Sequence, residues 1–129
     1  MNKRLKPPEE WFTQAKYDLE TAEAMFKTRR YIYTVFMCHL SIEKALKGVY
    51  AKHLKKDPPK THDLDYLCKL TELELATAFQ QFLDFLNDLS VPTRYPDEII
   101  KLLKQYKKDK TKDVLKQTKG LLLWLIKNA

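Results

Sequence analysis

A chain of 129 residues is the size of one domain, and splitting it would leave two marginal halves. Apolar residues make up 44% of it and aromatics 12%, while only two glycines are available for tight turns, which excludes a turn-rich β fold and favours helices. The formal charge of +7, from 24 Lys and Arg against 17 Asp and Glu, points either to an anionic partner or simply to a lysine-rich soluble surface. Residues Met1 to Pro8 are positive, but no apolar run of signal-peptide length follows. No stretch approaches the ~20 apolar residues a bilayer requires. A cytoplasmic location without membrane contact is therefore expected.

Pro7 and Pro8, followed by Glu9 and Glu10, make a helix start, because proline loses nothing where its N–H would be unpaired and early carboxylates suit the positive helix end. Trp11, Ala15, Leu19, Ala22 and Phe26 keep helical spacing from there to an end near Arg29 and Arg30. A second helix, Tyr31 to about Leu54, carries Tyr31, Val35, Cys38, Ile42, Ala45 and Val49 on one stripe and Ile32, Phe36 and Leu40 on the next. So wide an apolar face marks a central helix. Cys38 and Cys68 lie in apolar periodic segments without CxxC spacing, so two buried free thiols are expected.

Pro58 and Pro59 stop the second helix, and Thr61 or Asp63 is a fitting cap for a short helix through Leu64, Leu67 and Leu70. Leu75, Phe79, Phe82, Leu86 and Leu89 predict a further helix over Leu73 to Ser90, ended by Val91 and Pro92. Pro96 opens another through Ile99, Ile100, Leu102 and Leu103; a lysine-rich break at Lys107 to Lys110 then leads into a last helix with Val114, Thr118, Leu121 and Leu125. The expected fold is all-α: one domain over 1–129, an antiparallel up-and-down bundle of four long helices plus one or two short ones.

Four local patterns lie on this scaffold in order. They are Trp11 with Ala15, Asp18 and Leu19; Ser41-Ile42-Glu43-Lys44-Ala45-Leu46-Lys47; Thr61-His62-Asp63-Leu64; and Arg94-Tyr95-Pro96-Asp97. In that order and at those separations the chain resembles the HEPN domain family, and the resemblance runs from Trp11 to Trp124. It implies a helical bundle that usually dimerises, and a habit of pairing with a minimal nucleotidyltransferase in toxin–antitoxin-like modules. Some branches of that family are metal-independent ribonucleases with an Arg followed four to six residues later by His. Arg94 here has no His in reach, so the resemblance is closer to the non-catalytic, nucleotide-binding branch.

The residues themselves leave alternatives open. Ser41, Lys44 and Lys47 share a helix face and form a candidate phosphate grip; alternatively Glu43 pairs with Lys47 at i to i+4 on a solvated stripe, a pairing usually good for about 0.3–0.5 kcal/mol. His62 at the mouth of a short helix is suited to meeting a phosphate or moving a proton near neutral pH, or else closes its loop onto a backbone carbonyl. Arg94, before a helix, suits bidentate phosphate binding with Tyr95 stacking on a base; its structural alternative is an ion pair with Asp18, whose place at the edge of a buried stripe calls for a cation. His39 and Glu43 are two potential ligands without a third, so no metal and no cofactor is expected. The eight lysines from Lys101 to Lys119 are a weak hint of a phosphate track.

The expected function is thus a nucleotide-binding module, dimeric or partnered with a nucleotidyltransferase, with Ser41, Lys44, Lys47, His62, Arg94 and Tyr95 around its ligand. The alternative is an RNA-cleaving toxin in which His62 and Arg94 replace the missing pair, the imidazole as base and the guanidinium stabilising the pentavalent phosphate.

Overall fold

Pro7 is extended and Pro8 takes the first helical position, so α1 (Pro8–Lys27) begins where the two prolines direct, with Glu9 and Glu10 in its first turn. The computed structural model describes residues 5–89 and 96–129. Thr28 closes α1 by donating its hydroxyl to the carbonyls of Ala24 and Met25, and Arg29 takes the left-handed conformation (φ 64°) that turns the chain back. With so short a link, α2 (Tyr31–Leu54) returns along α1, and these two helices make the most extensive pairing in the fold.

From Ser41 to Ala51 every α2 residue is buried except Lys44, which is half-buried. A helix apolar nearly all round must be enclosed, and α2 touches each of the other five helices. Gly48 is where α1 comes closest: a Cβ there would lie 2.5 Å from the ring of Phe12 and 3.0 Å from Cβ of Trp11, so only glycine admits the first turn of α1 at this distance.

The chain leaves α2 through Lys55, itself left-handed (φ 53°), and enters α3 (Leu64–Thr71) through the Asp63 cap. The Asp63 carboxylate accepts from the Tyr66 N–H at 3.1 Å, and the Thr61 hydroxyl accepts from the Asp63 N–H at 3.1 Å. Asn87 in α4 (Thr77–Asp88) accepts from the Leu64 N–H at 2.7 Å and donates to Asp63 at 3.0 Å. The corner that carries His62 is thereby fastened to a second helix.

Two boundaries differ from the sequence expectation. The helix predicted from Leu73 begins only at Thr77, because Glu72 adopts φ 60° and closes α3; Leu73 and Leu75 then reach the core from a non-helical connector. The expected break at Lys107 to Lys110 is shorter: α5 (Pro96–Gln105) is followed by buried Tyr106 and extended Lys107, and α6 (Lys108–Lys127) starts at once. Tyr106, packed beside Phe85, makes the corner rather than the lysine run. Among the described residues the fold is all-helical, with two helices of 20 residues and one of 24 as its frame. The ends expected at Ser90, Val91 and Pro92 lie outside the described residues.

The core runs from Ala15, Leu19 and Ala22 of α1 through Ile42 and Leu46 to Leu83, Leu86, Leu121 and Leu125, each large aliphatic contributing roughly 1.5–3 kcal/mol by burial. Cys38 and Cys68 are free and buried, and burial pushes their thiols up to about 12 and about 11, which keeps both as poor nucleophiles. No described helix is long and apolar enough to cross a membrane.

Candidate functional site

Glu43 sits in the enclosed half of α2 with 2% of its surface exposed. A carboxylate there costs several kcal/mol unless it is paired and hydrogen-bonded, and both of its oxygens are engaged. Lys47, one turn on, donates from Nζ to Oε2 at 3.1 Å. His62, from the corner before α3, places Nδ1 2.8 Å from Oε1. His39, one turn earlier on α2, brings its own Nδ1 to 3.9 Å from the same oxygen. One buried acid thus gathers three basic side chains from two elements.

The geometry decides which nitrogen of His62 does what. A ring nitrogen facing a carboxylate carries the proton, so Nδ1 donates to Glu43 and Nε2 is left as the outward-facing group. The imidazole is 59% exposed, which makes it the solvent-facing end of the cluster. Through that hydrogen bond Glu43 orients the ring.

Next to the cluster lies an indole with two cations. Lys6, in the segment before α1, holds its Nζ 4.0 Å from the centre of the Trp11 ring, and the Nζ of Lys47 is 5.9 Å from that centre. The acidity of Lys6 is shifted so that its ammonium is disfavoured, first by burial and then by the positive charges of Lys44 and Lys47, with Glu10 and Asp18 opposing. Lys44 in turn meets Asp18 of α1 at 3.4 Å. Three lysines from two segments therefore share one positive region.

Of the residues the sequence singled out, His62 and Lys47 are brought together by Glu43, and Lys44 lies in the adjoining positive region. Ser41 is fully buried, and its hydroxyl donates to the Ala15 carbonyl at 2.7 Å, which ties α2 to α1. Arg94 and Tyr95 lie outside the described residues. Two expectations need correction. The Glu43–Lys47 pair exists but is buried rather than solvated, since α2 is enclosed from Ser41 to Ala51 apart from half-buried Lys44. His62 closes its corner onto the Glu43 carboxylate and not onto a backbone carbonyl. The cation expected for Asp18 is present in Lys44, and the pairing of Asp18 with Arg94 lies outside the described residues.

Glu43 as the centre, together with Lys6 and Trp11, was missed. For Glu43 the signal was present: a polar residue between Ile42 and Ala45, on a helix apolar all round, has nowhere to go but inside. Lys6 carries no such signal. The lysines from Lys101 to Lys119 are all exposed, and among the described residues only Lys110 of these lies over an aromatic ring, that of Tyr106 at 4.5 Å. Among the described residues no group of three or more His, Cys, Asp or Glu is arranged to hold a metal ion.

Fold and cluster together define a small all-α domain that presents a carboxylate-oriented imidazole beside a lysine-rich patch. Residues 8–129 match the HEPN domain family, and the chain belongs to it. Its structure is similar to that of TT1696 from Thermus thermophilus, with a TM-score of 0.78 at 20% identity over 95% of this chain and 98% of that one. It is also similar to ST0689, an archaeal HEPN homologue, with a TM-score of 0.75 at 22% identity over 96% of this chain and 98% of that one. No curated protein matches the sequence.

Proposed function

We propose that this chain is a nucleotide-binding HEPN module that works as the partner of a minimal nucleotidyltransferase in a toxin–antitoxin-like pair. The observation that supports the binding role most is the buried Glu43 holding His62 and Lys47, because a buried ion pair adds little stability over apolar residues of the same volume and is better accounted for by what it positions. In this reading the phosphates of a nucleotide meet His62, Lys44 and Lys47, Arg94 adds a bidentate contact and Tyr95 stacks on the base. Ser41 contributes from behind, by fixing α2 on α1 beneath the lysines.

Thermal unfolding of the full chain against ATP, other nucleotides and short RNA tests the reading. A ligand at 100 times its Kd adds about 2.7 kcal/mol of stability. The shift is expected to vanish in His62→Ala and Lys44→Ala, each read against its own unliganded melt; no shift with any ligand would count against it. The nucleotidyltransferase partnership rests on the family resemblance, and its test is co-purification of the two proteins after co-expression. Self-association is supported by exposed Tyr33 beside half-buried Phe36, Met37 and Leu40 on α2 and by exposed Ile100 and Leu103 on α5, and sedimentation velocity reads it directly.

A second reading is favoured by the Glu43–His62 hydrogen bond: an imidazole oriented by a carboxylate is a general base, and with Arg94 stabilising the pentavalent phosphate it would cleave RNA. RNA cleavage by the purified protein, lost in His62→Ala, would establish it over the first. Intact RNA at high protein concentration would remove it.

A further inference from the structure

Away from the Glu43 cluster, a cavity of about 310 Å³ opens where the segment before α1 crosses the end of α2. Its walls are apolar: Leu5, Pro7 and Pro8 on one side and Ala51 of α2 on the other. Among the described residues its polar members are all cations, Lys6, Lys52, Lys55 and Lys56, and no carboxylate lines it. None of Glu43, Lys44, Lys47 or His62 contributes to it, so it is a second place that adjoins the first through Lys6.

The negative end of α2 accounts for lysines in its last turn, since cations there interact favourably with the orphan carbonyls. It does not account for Lys6, which comes from another segment, or for the apolar walls. Lys52 donates to the Ala129 carbonyl at 3.0 Å, and Lys6 donates to Gln14 while lying on Trp11. Lys55 and Lys56, both exposed, meet no carboxylate among the described residues. An apolar pocket at the small end of the range that holds ligands, with positive charge on its rim and no acid to neutralise it, is complementary to a molecule with an apolar body and an anionic head.

We propose that this cavity binds an amphipathic anion, its apolar body against Leu5, Pro7, Pro8 and Ala51 and its phosphate or carboxylate head among Lys6, Lys55 and Lys56. The apolar part supplies burial and the head supplies orientation, so neither part alone binds as well as the whole. The site touches the nucleotide reading only at Lys6, which also lies in the positive region of Lys44 and Lys47; Lys55, Lys56 and the apolar walls belong to this cavity alone.

The test is a titration of the full-length protein, followed by backbone amide NMR shifts, with decyl phosphate, decanoate, inorganic phosphate and decanol. Saturable shifts at Lys6, Ala51, Lys52 and Lys55 are expected with decyl phosphate, decanoate or both, which distinguishes a phosphate from a carboxylate head. The double variant Lys55→Glu, Lys56→Glu should weaken binding about ten-fold, equivalent to 1.4 kcal/mol. The double variant Lys116→Glu, Lys119→Glu makes the same charge change on the exposed face of α6 and should leave binding within about two-fold of wild type, well under the 1.4 kcal/mol that a ten-fold change represents. No saturable shift, equal binding of phosphate or decanol alone, or equal weakening by both double variants would overturn the proposal.

Discussion

α2 and α6 are both long helices rich in lysine, yet they treat the residue in opposite ways. On α6 all six lysines, from Lys108 to Lys127, are exposed, and its buried residues are aliphatic or threonine, as Thr118 shows by bonding back to the Val114 carbonyl at 2.8 Å. On α2, Lys47 is buried with Glu43 and His39 beside it. The difference comes from what surrounds each helix. α6 has a free outer face that takes charge at no cost, whereas the second half of α2 is enclosed, so any charge on it must be paired. Lysine content therefore says little about binding, and lysine burial says much more.

The largest effect that would sharpen this contrast comes from Glu43→Ala. It leaves Lys47 buried without its acid, and breaking such a pair costs about 3–5 kcal/mol, to be read by denaturant unfolding. Lys116→Ala on α6, by contrast, should stay within about 0.5 kcal/mol of wild type. If the two variants lose similar amounts, the enclosure of α2 is not what governs them. Gly48→Ala comes next: a Cβ pressed into Phe12 should destabilise by roughly 1–3 kcal/mol, whereas Gly120→Ala, with open space around its Cβ on α6, should stabilise by up to about 1 kcal/mol. Thermal melts of the two single variants would show opposite signs.

A smaller loss, about 1 kcal/mol, is expected from Asp63→Ala, which removes the cap of α3 and loosens the corner that carries His62. The carboxyl of Asp63 is held below its ordinary range, chiefly by the hydrogen bond from the Tyr66 N–H. Its folded value is depressed, so the stability it contributes is present above about pH 3.9 and is lost as pH falls through the lower folded value. The acid limb of the stability profile should therefore be flatter in Asp63→Ala than in wild type, measured from pH 5 downward.

Local signals made most of the fold legible. Pro7 and Pro8, the apolar stripes of α1 and α2, and Asp63 before Leu64 each act within a turn of where they stand, and α2 runs over Tyr31–Leu54 as its periodicity indicates. The start of α4 was not legible, because Leu73 and Leu75 keep helical register with Phe79 while the backbone at Glu72 has already turned left-handed. The site was half legible. His62 and Lys47 stand out by type and setting, but what joins them is Glu43, across 19 residues of sequence from His62, and no local pattern reports a contact that long. Lys6 meets Trp11 five residues on, but Lys47 reaches the same ring only across the α1–α2 packing, which no local pattern reports.

In the proposed function, Glu43 holds His62 as an outward-facing imidazole for a phosphate ligand. The most direct measurement is the long-range ¹H–¹⁵N NMR spectrum of the His62 ring, free and with ATP. The expected spectrum of the neutral ring shows the proton on Nδ1, the free form changes tautomer population in Glu43→Gln, and the ring signals move saturably as ATP is added. A neutral ring protonated on Nε2, or a His62 spectrum indifferent to ATP at concentrations that saturate any thermal shift, would contradict the account.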